Sequence, residues 1–150
     1  MFKALFLLFI SFSSAIISLS AQNKVLIETT AGNITVKLYD ETPGHKQSFL
    51  SLVARSYYDS TIFHRVIKNF MIQGGDPESR TASPNKVFSD GGPGYTIPAE
   101  INEKFIHKKG ALAAARQPDN TNASRKSNGS QFYIVQGSVY PRAYLEKANK

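Results

Sequence analysis

Two short apolar runs near the middle of the sequence carry polar side chains of types that can take part in chemistry. Arg65 lies inside the first run, residues 62–67, and Gln73 follows the second, residues 70–72. An arginine supplies a permanent charge and rigidly directed N–H donors, and a glutamine amide both donates and accepts hydrogen bonds. These types predict binding through directed hydrogen bonds. The alternative is a half-buried hairpin whose arginine only extends to water.

The positioning of these side chains depends on a predicted hairpin. The polar pair Lys68-Asn69 separates the two apolar runs, a pattern that is typical of a tight turn between two short strands. Gly74-Gly75 follows the second strand and predicts its end, because glycine accepts a positive φ. The two-residue period of a strand places Met71 and Gln73 on one face.

A second informative block lies downstream. Residues 110–116 are small and begin with glycine, and residues 128–135 open with Asn-Gly before an apolar run. We expect each part to form a strand, with a polar loop at residues 117–126 between them. Taken alone, the alanines at 111 and 113–115 favour helix, but the leading glycine and the resemblance described next favour strand.

The two blocks together resemble the signature of the cyclophilin-type peptidyl-prolyl isomerases. The resemblance spans roughly residues 25–137. It implies a mainly β fold, an eight-stranded antiparallel barrel capped by two helices, with both blocks side by side on its outer face. The matching positions of the first block are Tyr58, Thr61, Phe63-His64-Arg65, Val66-Ile67, Phe70-Met71, Gln73 and Gly75.

Site roles follow from the resemblance. It implies that Arg65 and Gln73 are the catalytic residues, with Arg65 as the catalytic cation, and that an apolar pocket takes a proline ring. Gln73 and Gln131 would hold the substrate backbone by hydrogen bonds. The implied substrate-binding residues are Phe70, Met71, Ala115, Gln131 and Tyr133.

Two positions depart from the family pattern within the second block. Tyr133 stands where the family usually has phenylalanine, so its hydroxyl needs water or a partner. Arg116 replaces an asparagine seen in many members, but the contact there often comes from the backbone, so we expect little loss.

The implied reaction is rotation about an Xaa–Pro peptide bond, whose barrier is about 18–20 kcal/mol. The proline nitrogen regains a lone pair in the twisted state, and a donor aimed at it binds that state better than the planar one. No nucleophile, metal or cofactor is required. His45, His64 and His107 form no recognisable triad or ligand set; we expect His45 on the surface and His64 in a structural role.

Composition narrows the alternatives. The chain has 150 residues, enough for one domain, and no cysteine, which excludes disulfides, thiolate metal sites and a cysteine nucleophile. The net charge is +7, but the basic residues are scattered and no aromatic residues alternate with them as a stacking platform requires. We therefore expect no nucleic acid as a partner; the resemblance implies proline-containing polypeptides instead.

Residues 1–21 read as a cleaved signal peptide. Lys3 precedes an apolar and serine-rich run, and small residues allow cleavage after Ser20 or Ala21. A membrane span is the competing interpretation, but the run is shorter than the roughly 20 apolar residues that a span needs. The sequence thus predicts an exported protein, periplasmic or secreted, with no membrane span after cleavage.

The remaining elements frame an incomplete domain at residues 22–137. We expect strands at residues 24–30 and 33–39 joined by Ala31-Gly32, and a helix from Pro43 to near Ser56 with Thr42 as N-cap and an apolar face of Phe49, Leu52 and Val53.

Residues 138–150 read as the start of a helical insertion, and the family's last strands and second helix do not follow. We expect about six of the eight strands of a β-barrel, whose open edges invite association; a complete domain would be a monomer. The predicted function is prolyl isomerisation during folding of exported proteins. The alternatives are a non-catalytic proline-peptide-binding or chaperone-like module, or an inactive truncated fragment.

Overall fold

The computed structural model of the protein describes residues 23–81, 83, 85–88, 90–142 and 144. The predicted signal peptide lies outside the described residues. The predicted helical insertion at residues 138–150 lies partly outside them, at residues 143 and 145–150.

The described chain begins with an antiparallel hairpin of β1 (Lys24–Ile27) and β2 (Ile34–Lys37). The predicted hairpin is confirmed, but its strands are shorter than expected. The Thr29 hydroxyl donates to the Gly32 carbonyl at 2.6 Å, and Gly32 has a φ of +123°, so the turn begins before the apolar alternation ends. The side chains of Val25 and Val36 alternate inward and form the buried core with Leu38.

Helix α1 spans Pro43–Ala54, close to the predicted bounds, and packs its apolar side over the sheets. Leu52 is buried, and the Phe49 ring meets Phe132 edge-on with centroids 5.6 Å apart. Val53, predicted on the same face, remains exposed at the margin of the contact.

The N-terminus of α1 is capped by a residue distant in sequence. Thr42 occupies the N-cap position as expected, but its side chain makes no capping hydrogen bond. The Glu100 carboxylate instead accepts the backbone N–H groups of Gly44 at 2.8 Å and His45 at 2.9 Å. A carboxylate at a helix N-terminus satisfies free amide donors and complements the helix dipole.

The expectation that His45 lies on the surface without an acidic partner is wrong. Its Nδ1 lies 2.6 Å from Glu100 Oε2, and its Nε2 lies 3.0 Å from Ser127 Oγ. Glu100 is 55 residues away along the chain, so local spacing could not reveal it. The connectivity Ser–His–Glu is that of a hydrolase triad. Because Ser127 is only 6% exposed, we interpret these three residues as a structural hydrogen-bond network that joins α1 to the strand that contains Ser127.

A four-stranded antiparallel sheet forms the rest of the fold, with two small additional elements. Its strands are β3 (Arg65–Ile67), β4 (Met71–Gly74), β6 (Leu112–Ala114) and β8 (Phe132–Val135), and their order in the sheet is β3-β4-β8-β6. The additional elements are a pair formed by β5 (Thr96–Ile97) and β7 (Ser127–Asn128), and a 3₁₀ helix at Pro77–Thr81.

The mainly β, antiparallel fold class is confirmed. Within the described residues, six strands have three or more residues, and they are the six that the sequence predicts. The sheets of this part of the chain do not close into a barrel, and β3 and β6 are edge strands. A single α-helix accompanies them among the described residues.

No helix within residues 23–144, so far as the structure describes them, has the length and apolar character to cross a bilayer.

The Glu100 cap generates a test. Burial opposes ionisation of the Glu100 carboxyl, but hydrogen bonds from His45 and Gly44 outweigh it and hold its pKa below its usual value. The unfolded chain therefore binds the proton more readily. The stabilisation is present above the ordinary glutamate pKa of about 4.3 and is lost as the pH falls through the lower folded-state pKa.

We expect Glu100→Gln to lower the free energy of unfolding at pH 7 by about 1 kcal/mol. Urea denaturation followed by circular dichroism from pH 7 to pH 3 should show this difference shrinking toward the acid end. Glu103→Gln, at an exposed carboxyl in the same loop, is the control and should change little. A difference that stays constant with pH would contradict the assignment.

Candidate functional site

Cross-strand pairing aligns three of the predicted site residues, Arg65, Gln73 and Tyr133, in one row of the sheet. Arg65 on β3 pairs with Gln73 on β4, and Gln73 pairs with Tyr133 on β8. Tyr133 in turn pairs with Ala113 on β6. Directly opposed residues of antiparallel strands project from the same face. The site is therefore built on one face of three neighbouring strands.

The β3–β4 turn fixes both the register and the position of Phe70. Asn69 adopts a φ of +62°, a conformation that asparagine tolerates better than most residues. The Asn69 N–H donates to Gln136 Oε1 at 2.7 Å, and the Phe70 carbonyl accepts the N–H groups of Gln136 and Gly137. The turn is thus tied to the end of β8, which keeps Phe70 beside that strand.

The polar residues form a continuous chain of hydrogen bonds. Arg65 Nη1 donates to Gln73 Oε1 at 3.2 Å, and Gln73 Nε2 donates to Gln131 Oε1 at 2.8 Å. Gln131 Nε2 donates to the Gly91 carbonyl at 2.8 Å and to Asp76 Oδ2 at 3.1 Å. The structure therefore brings together the three polar residues that the sequence nominates. Their catalytic and binding roles stay a prediction.

The solvent exposure of the side chains changes along this series of hydrogen bonds. Arg65 is exposed, whereas Gln73 is buried and Gln131 is only 2% exposed. The expectation that Gln131 holds a substrate backbone directly differs from this placement, because its amide is covered and engaged by protein groups. Gln131 instead supports Gln73, which in turn holds the cation.

The apolar residues are placed less uniformly than the resemblance implies. Phe70 is 46% exposed, and its ring lies 6.1 Å from the Tyr133 ring. Met71 was expected to line the pocket, but it is 1% exposed because neighbouring side chains cover it. Ala115 is half-buried just beyond β6, and its N–H donates to the Gln131 carbonyl at 2.9 Å.

The Tyr133 hydroxyl has found a protein partner. It lies 2.8 Å from His107 Nε2, and the two rings are nearly parallel, at 12°. Burial raises the pKa of Tyr133, and the charge of Arg116 partly opposes that rise. The hydroxyl is therefore neutral near pH 7, and His107 lies against Tyr133 at the edge of the site.

His64 takes no part in this row. Burial lowers the pKa of His64, the charge of Asp76 partly opposes that, and the ring packs 5.7 Å from Phe88. These contacts suit the structural role expected for it.

Glycine is required at position 75, where the end of β4 lies close to the residues before β8. Gly75 has a φ of +89°, and a Cβ there would lie 2.4 Å from the Ser130 carbonyl oxygen. The Ser130 hydroxyl donates to the Gly75 carbonyl at 2.7 Å. The end of β4 therefore approaches the start of β8 closely enough for Gln73 and Gln131 to meet.

Sequence reasoning missed several residues that shape the site. Asn128 Oδ1 accepts the N–H groups of Ser130 and Gln131, and Asn128 Nδ2 donates to the Gly91 carbonyl at 3.1 Å. Asp76 was also missed, although a carboxylate directly after the glycines that end a buried strand was an available signal. His107 gave no such signal.

Besides this row, a hollow beside α1 and the possible metal ligands could mark a binding site. A shallow hollow beside α1 is lined by Asp40, Pro43, Lys46, Gln47, Leu50 and Ser51, none of which belongs to the row. Within the part of the chain that the structure describes, no three His, Asp or Glu side chains gather as metal ligands would.

Comparison with known proteins gives a consistent family. The model of the family "Cyclophilin type peptidyl-prolyl cis-trans isomerase/CLD" matches residues 24–142. Peptidyl-prolyl cis-trans isomerase-like 1 of Neurospora crassa is 41% identical over 113 residues, which make up 74% of this chain and 63% of that protein. The spliceosome-associated protein CWC27 homolog of Xenopus laevis is 37% identical over 119 residues, 78% of this chain and 23% of that protein.

The fold agrees with these relatives. A crystal structure of a Cryptosporidium parvum cyclophilin type peptidyl-prolyl cis-trans isomerase, obtained in the presence of the dipeptide Ala-Pro, superposes with a TM-score of 0.63 at 34% identity. The match covers 77% of this chain and 69% of that one. The chain spans less than two thirds of the length of the two curated relatives. The family match over most of its length, together with the shared fold, shows that the chain belongs to the cyclophilin-type peptidyl-prolyl cis-trans isomerase family.

Proposed function

We propose that this chain accelerates cis–trans rotation of Xaa–Pro bonds in polypeptides, with Arg65 as the catalytic cation. The observation that carries the proposal is an exposed guanidinium held at Nη1 by Gln73, on the face that also bears Tyr133. Membership of the family supports the same reaction. The reaction needs no proton transfer, so a fixed cation with directed donors is suitable.

The transition state explains why this arrangement would accelerate rotation. Twisting the bond costs about 18–20 kcal/mol because amide resonance is lost. The proline nitrogen then gains a lone pair that the planar ground state lacks. A donor directed at that nitrogen stabilises the twisted state selectively. Because Gln73 holds one edge of the Arg65 guanidinium, its orientation is fixed before the substrate turns.

Substrate would lie against the exposed rings beside this cation. Phe70 and Tyr133, with centroids 6.1 Å apart, provide an apolar wall for a pyrrolidine ring. Ala115, a small residue just beyond β6, would leave room beside that wall. The substrate class is therefore a proline-containing polypeptide.

A proline-peptide-binding module without catalysis is the second candidate. Burial of Met71 and Gln131 favours it, because fewer groups remain to hold both sides of a rotating bond. The open sheets of the described residues point the same way. Peptide binding without acceleration would identify this alternative, and absence of both would indicate an inactive fragment.

We also propose that the protein works outside the cytoplasm, on exported clients. Lys3 and the apolar run that follows it support this. Expression of the full chain in a bacterium, followed by intact-mass analysis of the exported protein, should give a mature N-terminus at Ala21 or Gln22. An uncleaved, cytoplasmic product would contradict the proposal.

Replacement of Arg65 tests the mechanism directly. Arg65→Ala should lower kcat/KM by about 10- to 100-fold, the equivalent of one charge-assisted hydrogen bond. Arg65→Lys should recover only part of this, because lysine keeps the charge but lacks the rigid fork. The readout is a protease-coupled assay on a short Xaa–Pro peptide. Lys68→Ala, which removes an exposed cation from the same hairpin, is the control; equal rates for Arg65→Ala and wild type would refute the mechanism.

Replacement of Tyr133 tests the apolar wall. Tyr133→Phe keeps the ring and loses only the hydrogen bond to His107, so kcat/KM should stay within about threefold of wild type. Tyr133→Ala removes the wall and should raise KM by about tenfold, with a smaller change in kcat. Titration of peptide initial rates separates the two constants. An effect of Tyr133→Phe as large as that of Tyr133→Ala would show that the hydroxyl, not the ring, matters.

A further inference from the structure

We propose that Asp76 is a positioning residue for Arg65, acting through the side-chain amides of Gln131 and Gln73. This inference rests on the proposed isomerase function and deepens it. Asp76 lies outside the sheet, directly after the glycines that end β4, and does not reach the substrate side of the site. Its influence would travel along the hydrogen-bonded chain described above.

The Asp76 side chain is held in a fixed place. It is 1% exposed, and its Oδ1 accepts the Glu78 N–H at 2.9 Å. The Asp76 backbone carbonyl accepts both the N–H and the hydroxyl of Ser79, a residue inside the 3₁₀ helix that follows. A buried carboxylate is tolerated only where donors satisfy it. Its remaining oxygen, Oδ2, faces Gln131 Nε2 at 3.1 Å.

The direction of the chain follows from this acceptor. A carboxylate can only accept hydrogen bonds, so Gln131 must present its NH₂ group to Asp76 and its carbonyl to Gln73. Gln73 must then donate to that carbonyl, which turns its own carbonyl toward Arg65. With the amides reversed, Gln73 would present N–H groups to a guanidinium that can only donate. Asp76, together with the Gly91 carbonyl that accepts from the same Gln131 NH₂ group, therefore sets the orientation of the amides that hold the cation.

The Gly91 carbonyl completes the acceptor pair. Gln131 Nε2 donates to it at 2.8 Å, so the two N–H groups of one amide meet two acceptors. Gly91 also has to be glycine, because a Cβ there would lie 2.0 Å from Asp76 Oδ1. Any larger residue at position 91 would displace the carboxylate, which gives a second way to disturb the same contact.

Asp76→Asn is the main test, since asparagine keeps the shape but can offer an acceptor to Glu78 or to Gln131, not to both. We expect kcat to fall about tenfold and KM to change by less than about twofold. The control is Asp90→Asn, which removes a charge from an exposed carboxyl in the following loop and should leave both constants unchanged. Wild-type kcat in Asp76→Asn would overturn the proposal.

A double variant separates positioning from general destabilisation. In the Arg65→Lys background, where the guanidinium is gone, Asp76→Asn should lower kcat by less than about twofold. A merely structural role would lower the active fraction equally in both backgrounds, and that result would refute the proposal. Circular dichroism melts of every variant verify folding. If Asp76→Asn does not fold, Gly91→Ala replaces it and should show the same coupling to Arg65.

A spectroscopic readout keeps this inference separable from the proposed function. In ¹⁵N-labelled protein, Asp76→Asn should shift or double the side-chain amide signals of both Gln131 and Gln73, whereas Asp90→Asn should leave them in place. If the wild type shows no isomerase activity, the proposed function fails, yet these signals still decide whether Asp76 orients the amides. Unchanged Gln73 signals would refute the positioning role.

Discussion

A buried chain of hydrogen bonds, running from Asp76 through Gln131 and Gln73 to Arg65, is the constraint on which the site depends. Its buried end is the Asp76 carboxylate, which accepts hydrogen bonds, and its exposed end is the Arg65 guanidinium, which donates them. The interior is where such bonds are strongest and where an unpaired group is most costly. The strands that carry it must therefore keep their register, and Gly75 must allow β4 and β8 to approach closely.

The helix and the site are connected through the same short strand. Glu100 caps α1 and binds His45, and His45 reaches Ser127 on β7. The next residue, Asn128, accepts the backbone N–H of Gln131 and donates to the Gly91 carbonyl. Two clusters of polar side chains therefore meet at β7, one holding the helix and the other holding the amides. The two-residue strand β7 thus links the helix cap to the amides of the site.

The division between buried and exposed groups suits a reaction without proton transfer. The Arg65 guanidinium and the Phe70 ring face solvent, whereas Gln73 and Gln131, the amides that orient the guanidinium, are buried. Orientation fixed before binding reduces the reorganisation that the twisted state would otherwise require. The same arrangement limits direct contacts with a peptide backbone, because Gln131 is engaged inside the protein. The open edges of β3 and β6 remain the less protected part of the described fold.

The sequence by itself determined the local elements and the partners that a short turn can bring together. Alternating apolar residues and Ala31-Gly32 predict the first hairpin, and the turn at Lys68-Asn69 places Arg65 opposite Gln73. Arg65 and Gln73 are only eight positions apart, so the turn and the strand period fix their contact. The family signature added the expected roles, because many residue types match at fixed spacing.

Only the tertiary structure decided the contacts that cross long loops. Asp76 meets Gln131 across 55 positions, Gly91 meets Gln131 across 40, and His107 meets Tyr133 across 26. No periodicity in a sequence encodes such pairs, because the path of the intervening loops sets them. The burial of Met71 was also decided by the fold: the strand pattern gives its face, but not that this side chain is only 1% exposed.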